Sequence, residues 1–303
     1  MTMSGCTASG NLIGIDLGGS SVKAVVVSPD GERVAAENEA FDPKQSLSFA
    51  ETVRRVVLRL EDTHGAVERI GVSAPGLAAR DGRSTAYLPN RLPGLEGLVW
   101  SDFLQRSHPI PVLNDANAAL LGEVWLGAAR GLSNVILFTL GTGVGGAAMV
   151  DGKLLRGHTG KAGHLGHLSL DPNAPPDICG TPGSIETLMG NCTIGIRSEG
   201  RFETTHDLIR DHEAGDEFAT AVWLKSVRAL ACAIGSCSNI LDPEVAVIGG
   251  GIARAGDSLF EPLRRMVSEV EWKVCDHELR LEPAQLGELA GAFGAARNAQ
   301  IGG

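Results

Sequence analysis

Residues 12–34 read LIGIDLGGSSVKAVVVSPDGERV, and residues 135–155 read VILFTLGTGVGGAAMVDGKLL. Each stretch is an apolar strand, a glycine-rich turn, a second apolar strand, an Asp-Gly reversal and the start of a third strand. The second copy reaches its Asp-Gly two residues sooner. A motif of this length occurring twice predicts a duplicated lobe. In each turn the glycines let backbone N–H groups approach a phosphate with no Cβ in the way. Two such turns, one per lobe, point to a nucleotide held in a cleft.

Outward from the first copy, residues 46–64 carry Phe49, Val53, Val56, Val57 and Leu60 at helical spacing with charges between them, which predicts an amphipathic helix. RIGVS at 69–73 reads as a buried strand ending at Ala74-Pro75-Gly76. Residues 111–113 read as another, ending at Asn114-Asp115, before an Ala/Leu-rich helix over 116–129. Ligand sites in open α/β sheets favour that strand-to-helix edge. Beyond the second copy, residues 157–183 are rich in Gly, His and Pro, an irregular length that a compact domain keeps for function. Helices are predicted over 216–241, 258–270 and 286–300, and a strand over 245–248 runs into Gly249, Gly250 and Gly251.

Composition narrows the function classes. The 303 residues are 43% hydrophobic, normal for packed cores, and carry a formal charge of −10, which disfavours nonspecific binding to nucleic acid or anionic lipid. Aromatic residues make up only 4%, too few for a base-stacking surface. No apolar segment is read as long enough to cross a membrane, and MTMSGCTASGN at the N-terminus lacks the features of a signal peptide. The six cysteines, Cys6, Cys179, Cys192, Cys232, Cys237 and Cys275, form no CxxC pair and predict reduced thiols in a cytoplasm.

GTGVGG at 141–146 satisfies GxGxxG, yet a strand follows it where a dinucleotide site needs a helix, and the chain has no Walker A sequence. The alternative is two facing turns, Asp16 to Ser20 and Thr139 to Gly143, that grip phosphates, with Asp16 holding Mg²⁺ through water. Each turn alone is equally a structural hairpin; their repetition favours the ligand reading. Asn114-Asp115 is the candidate reacting centre. A sugar hydroxyl is a poor nucleophile, and a carboxylate that accepts its proton during phosphoryl transfer is what that chemistry requires. Asn114 is placed to hold the neighbouring hydroxyl; the competing role for Asp115 is a helix cap. His164, His167, Asp177, Cys179 and Ser184 lie close in sequence and invite a zinc reading, but good donors are few among them.

Together these segments resemble the ROK family, which groups bacterial sugar kinases with sugar-responsive repressors. The resemblance runs from Ile13 to about Ala299. It rests on DLGG at 16–19, Ala74-Pro75-Gly76, Leu88-Pro89-Asn90 with Pro93-Gly94, NDANAA at 114–119, GTGVGG, and Gly249 to Gly251. It implies the actin-like ATPase fold, an α/β duplication of two RNase H-like lobes around a central cleft. The lobes are expected at 1–116 and 117–303, with the last helix, about 287–300, packing back on the small lobe. It further implies that Asp115 is the general base and that Asn90, Asn114, His167 and Glu186 contact the sugar. The ATP phosphates fall at Gly18, Gly19, Ser20, Thr142 and Gly143, with Gly249, Gly250 and Gly251 near the adenosine.

Three departures stand out. The family's GExGH segment reads GHLGH at 163–167, so His164 replaces a carboxylate that accepts hydrogen bonds from the sugar; it either reshapes sugar selection or packs beside His167. The zinc motif CxCGxxGCxE reads DICGTPGSIE at 177–186, which predicts loss of the metal and leaves His167, Asp177 and Cys179 as its poor remnant. The Lys often found after the first glycine turn is Ser21, with Lys23 nearby to serve instead.

The expectation is an ATP- and Mg²⁺-dependent carbohydrate kinase acting on a hydroxyl of a hexose or relative, cytoplasmic, without nucleic acid or membrane partners. The alternative is a non-catalytic sugar sensor on the same fold. Repressor members of the family carry a DNA-binding domain before the first hairpin, where about ten residues stand in this sequence. A homodimer is implied by the resemblance alone.

Overall fold

The computed structural model describes residues 10–274 and 278–302; Cys6, Cys275 and the polar N-terminal residues 1–9 lie outside the described residues. The strands are β1 (Leu12–Leu17), β2 (Ser21–Val27), β3 (Arg33–Ala40), β4 (Arg69–Ala74), β5 (Leu77–Ala78), β6 (Thr85–Tyr87), β7 (Val112–Asn114), β8 (Val135–Leu140), β9 (Val144–Val150), β10 (Lys153–Leu154), β11 (Val245–Gly249) and β12 (Arg280–Pro283). The helices are α1 (Ser48–His64), α2 (Trp100–Phe103), α3 (Asp115–Leu126), α4 (Ile185–Met189), α5 (Ile194–Arg197), α6 (Thr205–Glu213), α7 (Glu217–Leu241), α8 (Asp257–Val270) and α9 (Ala290–Gln300). They divide into two compact units. One comprises the chain to Gly131 with Arg156–Ala162 and the segment from Glu288; the other comprises Leu132–Leu155 and Gly163–Gly287.

The first unit is built on a sheet of order β3-β2-β1-β4-β7. The hairpins β1/β2 and β2/β3 are antiparallel, and β1/β4 and β4/β7 are parallel. A parallel neighbour needs a crossover, which α1 supplies between β3 and β4. In β1, Ile13, Ile15 and Leu17 join Phe49, Val53 and Val56 of α1 in one core. Gly14 and Asp16 alternate to the opposite face. There α9 approaches so closely that a Cβ on Gly14 would stand 1.8 Å from the Ala292 carbonyl oxygen, and one on Gly71 2.0 Å from that of Ala295. Helix α3 meets α9 the same way, through Gly294 against the Ala118 carbonyl. The first unit therefore runs past residue 116 to take in α3, and α9 returns to it.

The second unit repeats the plan with the order β10-β9-β8-β11-β12. Pairs β8/β9 and β9/β10 are antiparallel; β8/β11 and β11/β12 are parallel. Its core gathers Ile136, Phe138, Ala246 and Ile248 from the sheet with Trp223, Val227 and Leu230 of α7 and Leu259 and Leu263 of α8. Helix α7 corrects one sequence expectation: by length and composition it is long and apolar enough to cross a membrane. Its apolar side is filled by the unit's own core, and Trp223 donates its indole N–H to the Ser258 carbonyl at 2.8 Å, so burial in a protein core accounts for the hydropathy.

Candidate functional site

In the first unit the register of β1 selects the neighbours of Asp16. Lys23 lies opposite it on β2 and Ser73 opposite it on β4. The Ser73 hydroxyl donates to Asp16 Oδ1 at 2.6 Å. A Cβ on Gly291, in the first turn of α9, would come within 2.6 Å of the same carboxylate, so only glycine fits there. Burial pushes the Asp16 carboxyl up to about 6; the Ser73 hydrogen bond opposes this, and the negative charge of Asp115 adds to it. Lys23 also lowers it, while its ammonium pairs with Glu288 at 3.0 Å.

Asn114 ends β7 and caps α3. Its Oδ1 accepts from the N–H groups of Ala116 (3.0 Å) and Asn117 (3.4 Å), and its Nδ2 donates to the Gly76 carbonyl at 2.9 Å. The capping role weighed for Asp115 therefore falls largely to its neighbour. Asp115 opens α3 as an exposed residue, and its Oδ1 also accepts from Ala116 N–H at 2.8 Å. Gly76, at φ +86° with the Tyr87 carbonyl 2.4 Å from any Cβ, ties the Ala74-Pro75-Gly76 turn to the segment that leads to Asn90. Asn90 is exposed, in the left-handed conformation at φ 61°, which Asn tolerates better than most residues.

The first glycine turn closes through Gly18 N–H to the Ser21 carbonyl at 2.9 Å. Among the described residues, the N–H groups of exposed Gly19 and Ser20 have no protein acceptor. Ser21 begins β2 beside them. The second unit does the same: Gly141 N–H closes onto the Gly143 carbonyl at 2.9 Å, and the N–H groups of Thr142 and Gly143 have no acceptor among the described residues. The carbonyls of Gly141 and Thr142 are pinned from behind by Asn191 N–H (3.0 Å) and Cys192 N–H (2.8 Å). Each turn thus presents adjacent backbone donors, the arrangement that binds phosphate.

Glu186 sits in α4, whose N-terminus is capped by the Ser184 hydroxyl. Its Oε2 accepts from Val144 N–H at 3.1 Å, and a Cβ on Gly143 would overlap it at 2.1 Å. The second turn and Glu186 are therefore in contact. Gly250, at φ +89°, packs against Leu140 just before that turn, with a Cβ position 2.3 Å from the Leu140 carbonyl; Gly249 abuts Ala284, and Gly251 is open.

The segment 163–167 is fixed by Gly166, where a Cβ would lie 1.7 Å from the Val144 carbonyl. His164 is half-buried at the head of the short turn Leu165–His167. His167 bonds through Nδ1 to Asp177 Oδ2 at 2.7 Å, and its Nε2 lies 3.5 Å from Cys179 Sγ. These three are the described residues grouped closely enough to hold a metal ion. Asp177 Oδ1 already accepts from the N–H groups of Cys179 (2.8 Å) and Thr181 (2.9 Å). Burial raises the Asp177 carboxyl but is outweighed by hydrogen bonds from His167, Thr181, Ser184 and Cys179, which leave it below the usual range. Burial, then the charges of Asp177 and Glu186, push the Cys179 thiol up, away from the thiolate that binds zinc.

Ser73 and Gly291 escaped the sequence reading. Ser73 is recoverable only from strand register, and Gly291 only from the packing of the last helix.

The ROK family model matches residues 12–300. The glucokinase of Thermotoga maritima is 32% identical over 310 residues, covering 94% of this chain and 96% of that one. The ROK hexokinase of Thermus thermophilus superposes with a TM-score of 0.82 at 30% identity, over 96% of this chain and 98% of that one. A ROK family glucokinase from Streptomyces griseus, solved in complex with glucose and AMPPNP, gives 0.77 at 25% identity, over 97% and 100%. The repeated sheet order agrees with the actin-like ATPase fold, a duplicated two-lobe α/β architecture, and on the extent of the sequence match the chain belongs to the ROK family.

Proposed function

We propose that this protein is an ATP-dependent sugar kinase that transfers the terminal phosphoryl group to a hydroxyl of a hexose or close relative. The observation that carries this reading is the first unit's pair of carboxylates, exposed Asp115 and desolvated Asp16, beside a glycine turn with two N–H groups lacking acceptors. Asp115 accepts the hydroxyl proton as the sugar oxygen forms its bond to the terminal phosphorus. The bond from that phosphorus to the bridging oxygen breaks, and its electron pair leaves with ADP. Asn114, with one amide hydrogen still available, and Asn90 orient the sugar in the first unit; the sugar role of Glu186 and His167 is proposed on the family resemblance. His164 stands where the family keeps a carboxylate, and either reshapes which sugar is taken or packs beside His167.

Asp16 fits a role toward Mg²⁺, because its carboxylate is partly desolvated and beside a second negative charge, costs that a divalent cation relieves. Mg²⁺ supplies charge neutralisation to the phosphates. The donors that remain fit zinc poorly: one cysteine is left, both Asp177 oxygens already accept from protein donors, and Ser184 is a weak ligand. The loop is held by these hydrogen bonds instead. A cytoplasmic setting and a homodimeric assembly are proposed with this reading, the latter on the family resemblance alone.

The test is ATP consumption by the purified protein over a panel of hexoses, amino sugars and polyols in the presence of Mg²⁺. Saturable turnover on one of them is the expected result. ATP and sugar binding without turnover across the panel would contradict it and favour a sensor.

A further inference from the structure

The first glycine turn lacks the lysine that often follows it, and Lys23, its expected substitute, is paired with Glu288 at 3.0 Å. Another cation stands over the turn. Nη2 of Arg91 lies 3.6 Å from where a Cβ on Gly19 would sit, the one non-neighbouring atom within 4 Å of that point. Arg91 is exposed, and its guanidinium makes no hydrogen bond, ion pair or ring contact with any described residue. Three donor groups without acceptors therefore stand together at Gly19 and Ser20: two backbone N–H groups and a guanidinium, which has no acceptor of its own. An anion is what such a constellation satisfies, and a guanidinium fork suits phosphate oxygens in particular.

The loop carrying Arg91 is built to hold it there. Leu88 and Leu92 are buried on either side, at 7% and 4% exposure, while Pro89, Asn90 and Arg91 are outside. Leu88 N–H is held by Glu96 Oε1 at 2.5 Å, and the Pro93 carbonyl accepts from Leu47 N–H at 3.2 Å and from the Ser46 hydroxyl at 3.3 Å. Both neighbours of Arg91 are left-handed, Asn90 at φ 61° and Leu92 at φ 44°. For a bulky residue such as Leu that conformation costs on the order of 1–3 kcal/mol, and strain of this kind is kept where a loop must display particular side chains.

We infer that Arg91 is a catalytic residue that binds the terminal phosphoryl group of ATP, the group being transferred, together with the N–H groups of Gly19 and Ser20. The assignment to the terminal group rests on the sugar-kinase reading. Asn90, its chain neighbour, serves the sugar, so the phosphate within reach of Arg91 is the one next to the accepting hydroxyl. As that phosphoryl passes between oxygens, its equatorial oxygens carry spread negative charge, and a fixed guanidinium stabilises it.

The experiment compares wild type with Arg91→Ala and Arg91→Lys by steady-state kinetics and by calorimetric binding of AMPPNP and ADP, each with Mg²⁺. Arg91→Ala is expected to lower kcat on the order of 10²-fold while leaving the sugar KM and the melting temperature unchanged. It weakens AMPPNP by roughly tenfold and leaves ADP binding intact; Arg91→Lys lies between. Unchanged kcat and AMPPNP affinity in Arg91→Ala would overturn the inference, as would an equal loss for ADP and AMPPNP. A wild type silent on every sugar, with AMPPNP affinity still lost selectively in Arg91→Ala, would sink the sugar-kinase reading and leave the phosphate contact standing.

Discussion

Asp16 shows how one residue's position sets both a cost and a capacity. Held in β1 with its carboxyl raised to about 6, it prefers the proton more in the folded state than in the unfolded chain, where its ordinary value is 3.8. The folded state thus binds the extra proton between those values, so stability from this group is complete below 3.8 and is lost as pH rises through 6. Asp16→Asn removes a penalty on the order of 2–3 kcal/mol at pH 7, and the amide oxygen still accepts from Ser73. Denaturant titrations are expected to find Asp16→Asn more stable than wild type at pH 7.5, with the difference gone near pH 4, and inactive at both. Equal stability at pH 7.5 would contradict the burial assigned to it. The DLGG signature made Asp16 legible in the sequence, but its partners were not: Ser73 is 57 positions away and meets it only through parallel pairing. Arg91 was missed for a similar reason, since nothing in LPNRLPG says that a loop anchored by two leucines lays its arginine over Gly19.

At the scale of elements, long amphipathic and apolar segments were readable and short ones were not. Helices α1, α3, α7 and α8 lie within two or three residues of their expected bounds. The four-residue helices α2 and α5, and α4 with five, are too short to show a period, and α6 and the edge strand β12 carry mixed polar residues that give a weak signal. Helix α9 was expected from its alanines, yet their reason is steric: Ala and Gly let it lie against the backbones of β1, β4 and α3. Gly294→Ala tests this packing. Intrinsic propensity alone would favour Ala in a helix by about 1 kcal/mol, but the added Cβ would lie 1.7 Å from the Ala118 carbonyl oxygen, a backbone atom with little freedom to move. The expected outcome is a net loss of about 1–3 kcal/mol in the unfolding free energy measured by denaturant titration; an unchanged or raised value would show that α3 and α9 are not in such close contact.

For the whole molecule, the duplication was legible because the hairpin and its glycine turn recur in sequence, and both sheets repeat the same strand order with the same mix of antiparallel and parallel pairs. The extent of the first unit was less so: that α3 and residues 156–162 belong to it is a matter of tertiary contact that no local pattern encodes. Duplication with two phosphate-ready turns gives a fold that both enzymes and regulators use; what we propose separates an enzyme from them is Asp115. The deciding measurement is therefore Asp115→Asn against wild type on whichever sugar is turned over, with AMPPNP affinity measured on the same samples. An isosteric amide keeps the fold and the helix start but cannot take the hydroxyl proton. The account predicts turnover lowered on the order of 10²–10⁴-fold with AMPPNP affinity preserved. Turnover near the wild-type rate would contradict the central claim that Asp115 is the base of a sugar kinase.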